Sequence, residues 1–311
     1  MVVVSGSNSQ SLAKDLASEL GWEHHSLEAR RFPDSEGYIR IPEDAIEAVR
    51  KEPVVLVSNT FPDAGIVETL LLLEALKDVR EGRLENLKGI GPQKLDSVGP
   101  GVIVAIPYFG YSRQDKRFRP GEAISARAIG KLLADHCDGI VVFDLHAPNA
   151  LKNMSIPVAF TSAMPEIAEH LQREISPDFI LSPDKGAIKR ASEVAKAIDK
   201  PFSYLEKVRI DAHTIIHKAK DLDVKGKVVA IVDDMIATGG TICKAADALR
   251  SQGAIEVHAA CTHGLFTGGA IDRLSNHVDG VHATSSLANS RAVISGGAAL
   301  ARGVRQLLQN Q

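Results

Sequence analysis

Short apolar runs rich in β-branched residues alternate along this chain with longer stretches in which apolar positions recur every three or four residues. The short β-rich runs at 54–57, 102–106, 139–143, 179–181, 228–232 and 255–260 each predict a strand covered on both faces. Between them, Ile242, Ala245, Ala246 and Leu249 show the spacing that gathers apolar side chains on one helical face. Strand and helix in alternation predict an α/β fold with a mainly parallel sheet, because parallel neighbours need a crossover between them.

Two stretches of this pattern resemble each other. VVLVSNTFPDAGIVETLLLLEAL, starting at Val54, and VVAIVDDMIATGGTICKAADAL, starting at Val228, each read as strand, glycine-containing turn and helix. Each is followed by a second apolar strand that enters a polar loop near Phe109 or Phe266. The pattern predicts two similar domains, 1–150 completed by a C-terminal helix at 296–311, and 151–295. A length of 311 residues agrees, since single cores usually stop growing at about 250–300. The acids survive only in the second copy. The stretch 82–101, rich in glycine, proline and charge, reads as a surface excursion.

Composition narrows the classes of function. No apolar run approaches the ~20 residues of a membrane helix, and the first ten residues lack a basic cluster ahead of an apolar core. With 36 basic and 39 acidic residues there is no cationic surplus for nucleic acid, so an anionic ligand must be met by local groups. Cys137, Cys243 and Cys261 have neither disulfide nor zinc spacing, which points to the cytoplasm.

The densest chemistry lies at 228–241, where an apolar strand is expected to end in Asp233 and Asp234 and to turn through Ala237, Thr238, Gly239, Gly240 and Thr241 into a helix. Glycines let backbone amides approach an anion, the helix start directs unpaired N–H groups at it, and threonine hydroxyls add donors. The carboxylates suit sugar hydroxyls, or magnesium through water. A sugar phosphate satisfies both halves. A helix cap beside a solvated acidic turn is the plainer alternative.

This string resembles the phosphoribosyl-diphosphate signature of type I phosphoribosyltransferase folds, and further motifs resemble ribose-phosphate pyrophosphokinases in particular. They are RFPDSEGYIRI from Arg31, PYFGYSRQDKRFRPGEAISA from Pro107, FDLHA from Phe143, SPDKGA from Ser182 and YLEKVR from Tyr204, with THGLFTGGA and VISGG near the end. The resemblance implies two tandem type I phosphoribosyltransferase-like domains and transfer of the β,γ-diphosphate of ATP to ribose 5-phosphate. It implies ATP binding by Phe32, Asp34, Ser35, Glu36, Arg113, Gln114, Asp115 and His146, with Phe32 offering a stacking face. It assigns ribose 5-phosphate to Arg209, Asp233, Asp234 and the loop 237–241, and catalysis to Lys207 and Arg209 on a mobile segment. His146 and Asp184 are expected to face Mg2+. A homo-oligomer, a dimer or an assembly of dimers, is implied because Phe32 to Glu36 serve a neighbouring subunit in this family.

Two departures stand out. Many relatives have an acid where this chain has Ala237, and the 82–101 stretch is longer than the usual connection. Two other readings stay open: a phosphoribosyltransferase sharing the 233–241 loop, and a non-catalytic associated subunit. The first does not explain Arg113 to Asp115 or Lys207 with Arg209, and the retention of Lys207, Arg209, His146 and Asp184 argues against the second.

Overall fold

Three consecutive valines at the start of the chain form a strand, and the first sheet is built around it. The computed structural model describes residues 1–84, 101–209, 215–218 and 222–309, with 206–209 and 215–218 as backbone only. It divides into two compact units, Met1–Thr161 with Gly296–Gln311, and Ser162–Ser295.

In chain order the first unit contains β1 (Val2–Ser5), α1 (Gln10–Leu20), β2 (Glu23–Ser26), β3 (Glu28–Arg31), β4 (Gly37–Arg40), α2 (Glu43–Lys51), β5 (Val54–Val57), α3 (Asp63–Arg80), β6 (Val102–Ile106), α4 (Ser125–Ala134), β7 (Gly139–Phe143) and β8 (Val158–Thr161). Its sheet runs β2-β1-β5-β6-β7-β8, every pairing parallel, and β3 with β4 forms a separate antiparallel hairpin. Val54 to Val57, Val102 to Ile106 and Gly139 to Phe143 are buried along their whole length, as uninterrupted apolar runs require.

The second unit contains α5 (Met164–Glu174), β9 (Phe179–Ser182), α6 (Ile188–Ala197), β10 (Phe202–Tyr204), β11 (Glu206–Arg209), β12 (Ile215–Lys218), β13 (Val228–Ile236), α7 (Gly240–Ser251), β14 (Glu256–Gly264), α8 (Ala270–Ser275), β15 (Gly280–Thr284) and β16 (Ala292–Ile294). Its sheet runs β10-β9-β13-β14-β15-β16, again all parallel, with β11 and β12 as an antiparallel hairpin. Counting only sheet strands, both units have the order 2-1-3-4-5-6, and both carry a hairpin between their second and third strands. The resembling segments at Val54 and Val228 are the third strand and following helix of each unit. The C-terminal helix α9 (Gly297–Gln309) packs on β7, β8 and α1 of the first unit, where Thr161 Oγ1 donates to the Ala299 carbonyl at 2.7 Å.

Two expectations change. The strand at 228–232 was expected to stop at the acids, yet β13 continues to Ile236 because its ladder with β14 does: Asp233 pairs with Cys261, Met235 with His263 and Ile236 with Gly264. The 255–260 run likewise extends to Gly264. The strand β1 had no place in the reading, since four residues at a terminus carry too little pattern; its central position comes from pairing on both sides with β2 and β5. Of the 82–101 excursion, 85–100 lie outside the described residues.

Candidate active site

Parallel strands place their C-terminal ends along one edge of a sheet, and ligands of open α/β sheets bind there. In the second unit Asp184 follows the end of β9, while Asp233 and Asp234 lie near the end of the adjacent β13. Asp184 is pinned by its own turn: its Oδ1 accepts from Gly186 N at 2.8 Å, and Ser182 Oγ donates to its carbonyl at 2.6 Å. Asp234 is buried and faces Arg190 of α6, Nη2 to Oδ2 3.3 Å.

Asp233 accepts a hydrogen bond from Asp234 N at 2.8 Å. Its carboxyl is pushed well above the usual range, first by burial, then by the charge of Asp234, by a hydrogen bond with it, and by the charge of Asp184. Three carboxyl groups therefore share one strand edge with the Arg190 cation. Carboxyl groups so placed can be met by a divalent cation or by hydrogen-bond donors such as sugar hydroxyls.

Beyond β13 the chain passes Ala237 and Thr238 to Gly239, whose φ of 77° lies in the left-handed region; a Cβ there would stand 3.0 Å from Leu274 Cγ. Glycine is required both by the backbone and by the space. Gly239 opens α7, which has no side-chain cap and no acid in its first turn, so the helix N-terminus presents its amides and positive dipole end to an anion. The loop is buttressed from behind. Arg273 donates to the Thr238 carbonyl, Thr267 N donates to Ala237 O at 3.0 Å, and Leu265 and Phe266 N donate to Ile236 O at 3.0 and 3.1 Å. The THGLFTGGA motif thereby supports the loop. Lys207 and Arg209 lie in β11, their backbone paired with His217 and Ile215 of β12; their side chains lie outside the described residues.

In the first unit, residues 32–36 are the tip of the β3–β4 hairpin. Phe32 N donates to Glu36 O at 2.9 Å, Glu36 N to Asp34 Oδ1 at 3.0 Å, and Ser35 takes a φ of 75°. Phe32 is 41 % exposed, with its ring edge to face against Tyr38 at 5.7 Å and the Arg30 guanidinium 5.2 Å from its centre. An exposed aromatic backed by a cation is a ready surface for a flat ring.

Arg113, Gln114 and Asp115 follow β6, and His146 follows the neighbouring β7. Arg113 and His146 are exposed, Gln114 and Asp115 half-buried. Gln114 also has a structural task, since its Nε2 donates to the Ala123 carbonyl at 3.3 Å and that of Lys116 at 3.5 Å. Among the described residues, no group of three or more His, Cys, Asp or Glu side chains is arranged to hold a metal ion, and no helix is long and apolar enough to cross a membrane.

The structure thus places Asp184, Asp233, Asp234 and the 237–241 turn at adjoining strand ends of the second unit, and Arg113 to Asp115 and His146 after neighbouring strands of the first, with 32–36 on a separate hairpin. Sequence reasoning missed Arg190 and Arg273. Arg190 lies in the first turn of α6, which follows β9, and meets Asp234 on the adjacent strand β13. Arg273 left no local signal, because it reaches Thr238 from 35 positions away.

Comparison with known proteins bears on both units. A family model described as the N-terminal domain of ribose phosphate pyrophosphokinase matches residues 1–84 and 96–136, and one described as a phosphoribosyl transferase domain matches 157–285. The gap at 85–95 falls inside the 82–101 stretch. Curated relatives include the ribose-phosphate pyrophosphokinases of Methanopyrus kandleri, 35% identical and covering 99% of both chains, and of Thermoplasma acidophilum, 34% identical and covering 95% of both. That of Methanothermobacter thermautotrophicus is 38% identical over 94% of this chain and 96% of its own. Among solved structures, phosphoribosylpyrophosphate synthetase from Mycobacterium smegmatis superposes with a TM-score of 0.77 at 26% identity, covering 100% of this chain and 99% of that one.

Proposed function

The chain belongs to the ribose-phosphate pyrophosphokinase family, and from that premise we propose that its two residue groups serve one reaction, with ATP on the first unit's group and ribose 5-phosphate on the second's. The enzyme moves the β,γ-diphosphate of ATP to the 1-hydroxyl of ribose 5-phosphate, giving 5-phosphoribosyl 1-diphosphate and AMP. The observation that carries the assignment of the sugar is the uncapped start of α7 directly after the Asp233–Asp234 pair.

The 5-phosphate rests on the amides and hydroxyls of 238–241, while Asp233 and Asp234 accept from the sugar hydroxyls. Arg190 holds the Asp234 carboxylate in place. Phe32 stacks on the adenine; Asp34, Ser35 and Glu36 line its edge, and Arg113, Gln114, Asp115 and His146 hold the rest of the nucleotide. The anomeric oxygen attacks the β-phosphorus, the bond from that phosphorus to the α,β-bridging oxygen breaks, AMP leaves with the bridging oxygen, and the hydroxyl proton is released. Lys207 and Arg209 neutralise the charge that builds on the transferred phosphoryl oxygens, so positioning and electrostatics supply the rate without a covalent enzyme intermediate.

Asp184 would offer a divalent cation a hard carboxylate oxygen at the second unit's strand end, and His146 is the metal-facing group proposed in the first unit. Magnesium, when bound, would supply charge neutralisation of the phosphate oxygens. We propose further that the protein works in the cytoplasm as a homo-oligomer; its three cysteines are buried and free, and sizing in solution tests the assembly.

The test is direct. Purified protein incubated with ATP, ribose 5-phosphate and magnesium should release AMP in step with 5-phosphoribosyl 1-diphosphate. A phosphoribosyltransferase or a non-catalytic subunit would release none.

A further inference from the structure

In the first unit, the position equivalent to the phosphate loop is occupied by the chain itself. Where the second unit has Asp233, Asp234 and the loop to α7, the first has Ser58, Asn59 and Thr60 leading to α3. Asp63 is the first residue of α3, so a carboxylate of the protein stands at the helix N-terminus, where it is favoured by the dipole. Its Oδ1 accepts from the Tyr111 hydroxyl at 2.7 Å, which raises the Tyr111 phenol above its ordinary range.

The same turn grips the segment after β6 at two further points. Tyr108 N donates to Asn59 Oδ1 at 2.6 Å, and Gly110 N donates to Thr60 Oγ1 at 2.8 Å. The approach is so close that a Cβ on Gly110 would lie 2.2 Å from the Thr60 carbonyl oxygen. Tyr111 then takes a φ of 63°, a left-handed conformation that costs a non-glycine residue about 1–2 kcal/mol. That reversal buries Ser112 and leaves the next residue, Arg113, exposed. A strained residue persists where its surroundings over-determine it, and here the hydroxyl contact to Asp63 supplies one of the restraints.

We infer that Asp63 and Tyr111 are positioning residues for the nucleotide: the first unit's disused anion cradle has become the platform that aims Arg113, Gln114 and Asp115. The inference rests on the proposed assignment of ATP to this unit. It predicts an effect on ATP alone, because neither residue touches the second unit's sugar-phosphate group in this scheme.

The test compares wild type with Tyr111→Phe, Asp63→Ala and Asp63→Asn, using calorimetric ATP binding and steady-state kinetics for both substrates. Tyr111→Phe and Asp63→Ala should weaken ATP binding and raise its KM by about fivefold, the size expected for one hydrogen bond, with kcat and the KM for ribose 5-phosphate within about twofold. Asp63→Asn retains an acceptor oxygen and should recover most of the loss. Unaltered ATP binding in Tyr111→Phe, or KM values for both substrates rising together, would overturn the inference. If Asp63→Ala does not fold, Tyr111→Phe decides alone. Failure of the wild type to release AMP would instead refute the reaction, while the calorimetry would still report on the positioning.

Discussion

The two units share strand order, crossover pattern and inserted hairpin, yet treat the end of their third strand in opposite ways. In the first, Ser58 Oγ lies 2.8 Å from Thr69 Oγ1, Asn59 and Thr60 bind the neighbouring loop, and Asp63 fills the helix start. In the second, Asp233 and Asp234 stand side by side with Arg190 against Asp234, and the helix start carries neither side-chain cap nor acid. One topological position thus serves as an adhesive in the first unit, and in the second it carries the acids and the helix start proposed to meet the sugar phosphate.

The hairpins offer the sharpest way to break this comparison. Lys207→Ala, in the second unit's hairpin, should lower turnover about a thousandfold while ATP affinity changes little, since the contact proposed for it strengthens only as charge develops. Phe32→Ala, in the first unit's hairpin, should instead raise the KM for ATP about tenfold with turnover largely kept. Steady-state kinetics on both variants would show whether the hairpins divide catalysis and binding in this way; equal effects on turnover would dissolve the distinction.

Arg190→Met tests the acids. Removing the cation leaves Asp234 buried beside two other carboxyl groups, at a cost of about 3 kcal/mol, and thermal unfolding should fall by roughly 10 °C at neutral pH. An unchanged midpoint would mean that the Arg190–Asp234 pair adds little to stability. Smaller still, Gly239→Ala should lower the midpoint by a few degrees and weaken ribose 5-phosphate binding, since both its φ and Leu274 oppose a side chain. Gly240→Ala, with nothing nearer than Thr238 Oγ1 at 4.0 Å, should leave the midpoint where it was.

Acid should also separate the units. In the second, His170 Nε2 lies 3.0 Å from His282 Nδ1, His282 Nε2 lies 3.4 Å from His258 Nδ1, and His258 Nε2 lies 3.3 Å from Glu256. Burial, then the charges of His170, His258 and Arg291, pull His282 down to about 4, with Glu174 opposing; burial lowers His170 as well. An unfolded histidine titrates near 6.5, so between about 6.5 and 4 the unfolded chain takes up the proton that the folded one resists. The stabilisation is complete above that window and fades as pH falls through it. Thermal midpoints measured from pH 7 to 4.5 should decline, and His282→Gln should flatten part of the slope. Among the described residues of the first unit, His24 is lowered, chiefly by burial.

Much of this molecule was legible before folding. Strands buried on both faces announce themselves as apolar runs, and the string from Asp233 to Thr241 combines glycines, hydroxyls and acids that few other tasks require. Those are local properties, carried by adjacent residues, and so the parallel architecture, the repeat and the acid-and-glycine turn at 233–241 could be read in order along the chain. Other features depend on partners distant in sequence. The extension of β13 to Ile236 needed the ladder to β14, and the central place of β1 needed neighbours on both sides. Arg190 became a partner of Asp234 only across 44 positions, and Tyr111 met Asp63 only across 48. The amino-acid order determines which groups are available and which backbone shapes they tolerate; packing determines which of them find each other, because hydrogen bonds and ion pairs act over a few ångströms of space whatever the separation along the chain.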